Sequence, residues 1–346
     1  KKLNMSLKNL SAKIKIPKLL KDKFNNKKII EIYNKFEKSL NINENFVVAV
    51  SGGPDSLALA FLAKIYSIKK KLSARFIIVD HRLRPESTKE AKNVKSILSK
   101  NKIFSEILTW KGKKPKKNIQ HKARSKRYEL LFKRCDELKI NNILLGHHRE
   151  DLIENFFIRM LRGSGLKGLI SLNKKTLINK KNLFRPLLDQ KKNDLTFLSK
   201  NVFNFYVKDP TNEDDIYQRI RVRKLIKELK KDGLDENKIF QTLKNLKHSN
   251  EVINFHVKES LSKNTFFSKK NRKLVVNENF FKQPYEIIFR SLSESLRLIG
   301  GKYYSVRGKK LDRVIRDYEK RHFFRVTLGG CIIEKVNQTV IISKEL

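Results

Sequence analysis

Short apolar runs, each followed by a stretch with helical spacing, organise the first half of the chain. "FVVAV" (46–50), "ARFIIVD" (74–80), "IFSEIL" (103–108) and "NILLGH" (142–147) predict strands. Leu57, Phe61 and Ile65 fall on one helical face after the first run, as do Leu130, Leu131, Arg134 and Leu138 before the fourth. This rhythm predicts an α/β fold, a parallel sheet with helices on both faces. Ligands of such sheets sit beyond the C-terminal ends of the strands, so residues 51–56, 81–87 and 147–151 are expected to converge on one edge.

After Arg185 and Pro186 the pattern turns to helices, over about 190–201, 216–231, 236–263 and 284–299. The stretch "FFRVTLGGCIIEKVNQTVIIS" alternates and predicts two or three antiparallel strands. The expected organisation is a basic N-terminal extension and helix over 1–44, an α/β catalytic-type domain over 45–225, and a smaller helical domain with a β-containing end over 226–346. No internal repeat recurs at a fixed period.

Charge adds a partner class to this picture. The 346 residues carry 79 Lys and Arg against 35 Asp and Glu, a formal net charge of +44. Such a surplus favours a polyanion, either nucleic acid or an anionic membrane surface, although a chain this rich in Lys, Asn and Ile also reflects A- and T-rich codons. No stretch reaches the length of uncharged apolar residues that a bilayer span requires, and the basic N-terminus lacks a secretory apolar core, so no membrane association is expected. Cys135 and Cys331 are far apart and form no CxxC pair. Zinc, iron–sulfur and disulfide frameworks therefore lack ligands, and a reducing cytoplasm suits the chain.

Three segments carry candidate chemistry. "SGGPDS" (51–56) runs from a predicted strand into a helix N-terminus, where backbone N–H groups and the helix dipole favour an anion. Gly52 and Gly53 permit close approach, Ser51 and Ser56 offer hydroxyls, and Asp55 can cap the helix or hold a metal. It is not a Walker A loop, having no following lysine, and a plain strand-to-helix turn is the alternative. In "HHREDLIEN" the spacing of His147, His148 and Asp151 puts them on one side of a helix; a zinc site would need further ligands, and capping histidines are the bland reading against an active-site role. "GSGLKG" matches GxGxxG at Gly163, Gly165 and Gly168, but the segment before it has helical spacing, so a dinucleotide site is discounted.

"SGGPDS" after a strand resembles the signature of the PP-loop ATP pyrophosphatases, which cleave ATP between its α and β phosphates. "VDHRLRPES" (79–87), "ARSKRYELL" (123–131), "GHHREDLIENFFIRMLRGSGLKGL" (146–169), "RPLL" (185–188) and "KDPTNEDDIYQRIRVRKLI" (208–226) follow in order, with a weaker echo in "TLGGCII" (327–333). Together they resemble the tRNA(Ile)-lysidine synthases. That resemblance implies a PP-loop, adenine-nucleotide-α-hydrolase-like fold and ATP-driven ligation of free L-lysine to C2 of the first cytidine of the CAU anticodon in tRNA(Ile). It passes through an adenylylated cytidine and gives AMP and diphosphate.

The same resemblance implies that Ser51, Gly52, Gly53, Pro54, Asp55, Ser56, His81 and His148 hold ATP, that Asp55 takes Mg²⁺, and that Asp55, Arg124, Asp151 and Glu154 are catalytic. Asp151 and Glu154 would pair with the ammonium of lysine and Arg124 with its carboxylate. Arg219, Arg221 and Arg223 would meet tRNA phosphate or ATP, a solvated basic face being the alternative. A cytoplasmic enzyme is implied, and a homodimer is compatible with it. Glu150, Leu152 and Asn155 depart from the pattern HHxDDQxET common in the family, which leaves those positions without an inherited role. Competing readings are a thiolase-type tRNA-modifying PP-loop enzyme, which usually wants catalytic or cluster-binding cysteines, a small-molecule synthetase, which has no need of +44, and a non-enzymatic basic RNA-binding protein.

Overall fold

The computed structural model describes residues 16–112, 115, 119–207, 216–268, 273–301, 306 and 308–345. Contacts divide the chain into two units, one ending at Glu236 and one starting at Asn237.

The first unit is built on a six-stranded sheet. Its parallel strands are β1 (Phe46–Val50), β2 (Ala74–Asp80), β3 (Ser105–Thr109), β4 (Asn142–Leu144) and, after the antiparallel β5 (Lys175–Ile178), β6 (Lys181–Phe184). The strand order is β3-β2-β1-β4-β6-β5. β1 is buried on both faces, which is why its sequence is an unbroken apolar run. Phe46, Val48 and Val50 face a core formed with α2 (Lys27–Ser39), α3 (Pro54–Lys70), α4 (Ser87–Lys100) and α8 (Lys192–Phe203). Val47 faces the opposite layer, where α5 (Ile119–Glu137) supplies Leu131, Phe132 and Cys135.

From β1 the chain builds outward to β2 and β3, then returns to place β4 on the other side of β1. The crevice beyond the C-terminal ends of β1 and β4 is therefore the topological switch point, where ligands of such sheets bind.

The N-terminal extension is part of this unit from Ile16 onward: Leu20 of α1 (Lys18–Phe24), with Ile29, Tyr33 and Phe36 of α2, is buried in the core. The basic residues 1–15 lie outside the described residues, as does the segment 208–215 that begins "KDPTN". The boundary read from the sequence at 225/226 falls inside α9 (Gln218–Lys231), ahead of the division at Glu236.

The strands expected over 103–108 and 142–147 are shorter or shifted, and the hairpin of β5 and β6 was not foreseen. Its turn, Asn179-Lys180, has φ of 47° and 62° at the two residues. That is the geometry of a two-residue hairpin turn without its usual glycine, so the sequence carries no turn signal.

The second unit pairs α10 (Glu236–Asn264, apart from its first residue), α11 (Tyr285–Gly300) and α12 (Gly308–Lys320) with an antiparallel sheet in the order β7-β8-β11-β10-β9. The expected terminal strands are β9 (Phe324–Leu328), β10 (Cys331–Val336) and β11 (Thr339–Lys344). β7 (Thr265–Ser268), β8 (Lys273–Val276) and α12 were missed; the two strands are four residues each, too short to show a period.

Candidate active site

β1 delivers the chain to Ser51, and α3 starts at Pro54, so residues 51–56 form a tight passage from strand end to helix N-terminus. Gly52 sits at φ +88°, and a Cβ there would lie 2.5 Å from Val94 Cγ2. Only glycine fits both conditions. The Ser56 hydroxyl accepts from Ser51 N (3.1 Å) and Gly52 N (3.0 Å) and donates to Gly53 O (3.0 Å). The loop is thus wound in advance, with two backbone donors turned to one oxygen. Just past the end of β4, a Cβ on Gly146 would lie 3.3 Å from Asp55 backbone atoms, so the chain leaving β4 abuts the start of α3.

Asp55 lies in the first turn of α3. Burial pushes its carboxyl above the usual range, only partly opposed by the charges of His148 and Lys192. Its Oδ1 is shielded from solvent and has no partner, while Oδ2 stands 3.5 Å from His148 Nε2.

His148 caps α6 (Arg149–Met160) and joins the phosphate-type loop to a buried carboxylate pair. Asp151 Oδ2 accepts from His148 N at 2.9 Å and lies 3.6 Å from its Nε2, while Glu150 Oε2 meets Nδ1 at 2.9 Å. Both Glu150 oxygens also accept from Lys192 N, at 3.0 and 3.1 Å, at the start of α8. The departure from the family pattern at Glu150 therefore has a structural role: the side chain caps α8 and fixes the imidazole. Burial opposes a charge on His148, but the hydrogen bond to Glu150 and the charges of Asp151 and Asp55 outweigh it, and its pKa lies above the usual histidine value.

Asp151 and Glu154, three residues apart on α6, are both buried. Arg219 and Arg223, four apart on α9, meet them: Arg219 Nε donates to Glu154 Oε2 at 2.5 Å, its Nη2 to Asp151 Oδ1, and Arg223 Nε to Glu154 Oε1 at 2.6 Å. Two of the three arginines expected to meet phosphate are thus engaged with these carboxylates. Arg221 lies off this face, donating to Ile216 O at 2.9 Å. Burial raises the Asp151 carboxyl, but the charges of His148 and Arg219 overcome it and hold it below its ordinary value.

His81, directly after β2, accepts at Nε2 from Arg127 Nε (3.1 Å) and lies edge-on to Trp110, which follows β3. Burial, then the charge of Arg127, pushes its pKa down to about 4. His147 is likewise neutral, pushed by burial down to about 3, with an unpartnered Nδ1. It does not share the hydrogen-bonded cluster of His148 and Asp151, and among the described residues no group of three or more His, Cys, Asp or Glu forms a cage for a metal ion. Arg124 donates to the Tyr128 hydroxyl at 3.3 Å on α5. The GxGxxG glycines act locally, Gly163 at φ +65° after α6 and Gly165 as the cap of α7 (Leu166–Leu169).

The strand-loop-helix passage at the switch point, with a free carboxylate oxygen beside it, belongs to a definite class. The family model of the PP-loop domain matches residues 22–229, so the chain carries a PP-loop domain of the ATP-binding type. The tRNA(Ile)-lysidine synthase of Orientia tsutsugamushi is 34% identical over 331 residues, covering 91% of this chain and 72% of that protein. The enzyme of the same name from Wolbachia pipientis wMel is 32% identical over 317 residues, covering 90% and 73%. The chain belongs to the tRNA(Ile)-lysidine synthase family. Among solved structures, the U34-tRNA thiolase NcsA of Methanococcus maripaludis, with its [4Fe-4S] cluster, matches at a TM-score of 0.55 and 19% identity over 64% of this chain and 79% of that one, a likeness of fold.

Proposed function

We infer that the chain joins L-lysine to C2 of the first cytidine of the CAU anticodon of tRNA(Ile), using ATP and releasing AMP and diphosphate. The observation that carries this reading is the junction at His148. One buried imidazole stands 3.5 Å from Asp55 of the loop and 3.6 Å from Asp151 of the carboxylate pair. A site that must adenylylate a base and then receive an amine needs both halves within one crevice.

Ser51 N and Gly52 N are held by the Ser56 hydroxyl and fix the turn, while the N-terminus of α3, which has no side-chain cap, offers its first-turn N–H groups and its dipole to phosphate oxygens. Asp55 fits a hard cation, since its Oδ1 is shielded and unpartnered. Mg²⁺ held there would neutralise charge on the departing diphosphate. The C2 oxygen of cytidine attacks the α-phosphorus and diphosphate leaves. The ε-amine of lysine then attacks C2 and AMP leaves.

That amine, with a reference pKa of about 10.4, must first lose its proton. Against burial, the charges of His148 and Arg219 hold the Asp151 carboxyl below its ordinary value, which suits it to anchor the ammonium. Asp151 or Glu154 takes the proton. Either role requires Arg219 and Arg223 to share the carboxylates with the substrate.

A cytoplasmic setting and a homodimer belong to the same reading. No helix among the described residues is long and apolar enough to cross a membrane, and light scattering on the purified chain gives the copy number. The thiolase reading has less support: the chain has two cysteines, both buried, and burial pushes Cys135 up to about 12, far from a reactive thiolate. The test is AMP release from ATP with lysine and a CAU-anticodon isoleucine tRNA transcript. Lysine-dependent release is expected; release indifferent to lysine removes this reading, and no release leaves the RNA-binding one.

A further inference from the structure

α4 carries a row of lysines that the mechanism above does not use. Ala91, Val94 and Leu98 bury one side of the helix, while Lys89, Lys92, Lys95 and Lys100 stand exposed with Ser96 and Ser99 among them. Glu90, the one acid inside the helix, is paired with Arg84 at 2.9 Å. Among the described residues no ion pair engages any of these lysines. The row therefore presents positive charge interleaved with neutral donors, the side chains from which phosphodiester oxygens accept.

Between α4 and the end of α8 opens a cavity of about 740 Å³, lined in part by Asn93, Lys200, Asn204, Phe205, Tyr206 and Val207. That volume lies within the range of about 300–1,000 Å³ that holds a small ligand. Phe205 and Tyr206 pack on the core but are only half-buried, and Lys200 and Asn204 are exposed. Aromatic rings beside amides and a cation suit a nucleobase, which stacks on a ring and exchanges hydrogen bonds at its edge. The cavity is also tied to the phosphate-type loop. Val207 N donates to Gly52 O at 2.9 Å, and the Cβ that Gly52 lacks would lie 2.5 Å from Cγ2 of Val94 on α4.

We propose that α4 and the cavity between α4 and α8 form a contact surface for the tRNA strand, the lysines meeting phosphates and the cavity taking an unstacked nucleotide against Phe205 and Tyr206. This rests on the tRNA-modifying reading and deepens it, giving the polyanionic substrate a face on the first unit distinct from the carboxylate pair. At about 1.5 Å per residue the 14 residues of α4 run about 21 Å, enough to follow several phosphates.

The measurement is the Kd of a CAU-anticodon isoleucine tRNA transcript as a function of salt. It is made on wild type, on a Lys92→Gln, Lys95→Gln, Lys100→Gln variant, and on a control that takes the same charge from exposed positions of α2, Lys27→Gln, Lys35→Gln, Lys38→Gln. Gln keeps a helix propensity close to that of Lys. Losing three phosphate contacts lowers the slope of log Kd on log salt by about 2–3 and weakens binding at low salt by at least about tenfold. The control stays near wild type. Phe205→Leu with Tyr206→Leu weakens tRNA binding by about fivefold to about a hundredfold at an unchanged slope. With tRNA saturating, the KM for lysine keeps its wild-type value throughout.

The proposal is overturned if the α4 variant keeps the wild-type slope, if the α2 control loses as much, or if the leucine variant binds tRNA as wild type does. Binding to phosphatidylglycerol vesicles that falls in the α4 variant while tRNA binding holds makes this a membrane face and overturns it as well. Should the leucine variant lack a native melting curve, Asn93→Ala, at an exposed position lining the cavity, must weaken tRNA binding in its place, and its failure to do so counts equally against the proposal. Wild type without lysine-dependent AMP release fails the underlying reading; the tRNA Kd, read without turnover, still decides the surface.

Discussion

Replacing Ser56 by Ala removes the oxygen onto which Ser51 N and Gly52 N converge. Gly52 is buried, so its N–H loses a partner without gaining water; Ser51 is exposed, so its N–H can hydrate. One buried donor left unmade costs about 1–3 kcal/mol. In a unit of this size each kcal/mol moves the melting midpoint by about 2–4 °C, so a fall of about 2–12 °C is expected in the ligand-free chain. A phosphate bound at the N-terminus of α3 would offer its own oxygens to the two donors that the variant releases. Scanning calorimetry of wild type and Ser56→Ala, each with and without saturating ATP, should therefore show the gap narrowing when ATP is present. A gap that ATP leaves unchanged, or no gap at all, would refute the claim that phosphate binds over this turn.

Asp55→Asn should abolish AMP release, keep tRNA binding, and make the ligand-free chain more stable at neutral pH by about 0.5–2 kcal/mol in urea unfolding. The raised pKa of Asp55 means that ionising it costs stability as pH rises, and Asn removes that cost. For His148 the sign is opposite: its raised pKa contributes stability that is complete below about pH 6.5 and fades as pH climbs through the folded value. The stability difference between wild type and His148→Gln should shrink from pH 6 to pH 9 as followed by chemical unfolding. Arg219→Ala removes a partner from Asp151 and Glu154, at a cost discounted by solvent to about 1–3 kcal/mol. Because the depressed pKa of Asp151 lends stability above its unfolded value of about 3.8, losing Arg219 should move acid unfolding to higher pH, as read by circular dichroism.

The sheet's parallel core was legible because β1 and β2 are buried enough to need apolar runs, and the ligand edge followed from strand direction alone. Asp55, Asp151 and Glu154 were singled out as candidates through motif and helical spacing, which report one element at a time. Pairings between elements left no such trace. Nothing in "YQRIRVRKLI" says that Arg219 and Arg223 turn toward α6, since a basic helical face reads the same whether it meets phosphate, water or carboxylate. Glu150 looked like a departure without a role, yet it contacts Lys192 N 42 residues away. Arg185 stood in the quoted "RPLL" motif, but its burial depends on the β5–β6 hairpin, whose Asn179-Lys180 turn gives no glycine signal. Trp110, after β3, and Arg127, on α5, frame His81 through tertiary contacts between separate elements.

The central claim is that one crevice moves AMP onto a tRNA base and then exchanges it for lysine. The most direct measurement is mass spectrometry of nucleosides digested from CAU-anticodon isoleucine tRNA after incubation with the chain, ATP and isotope-labelled lysine. The account predicts lysidine carrying the label, in an amount matching the AMP released, and none with Asp55→Asn. Unmodified cytidine in the presence of lysine-dependent AMP release, or label recovered on another nucleoside, would contradict it.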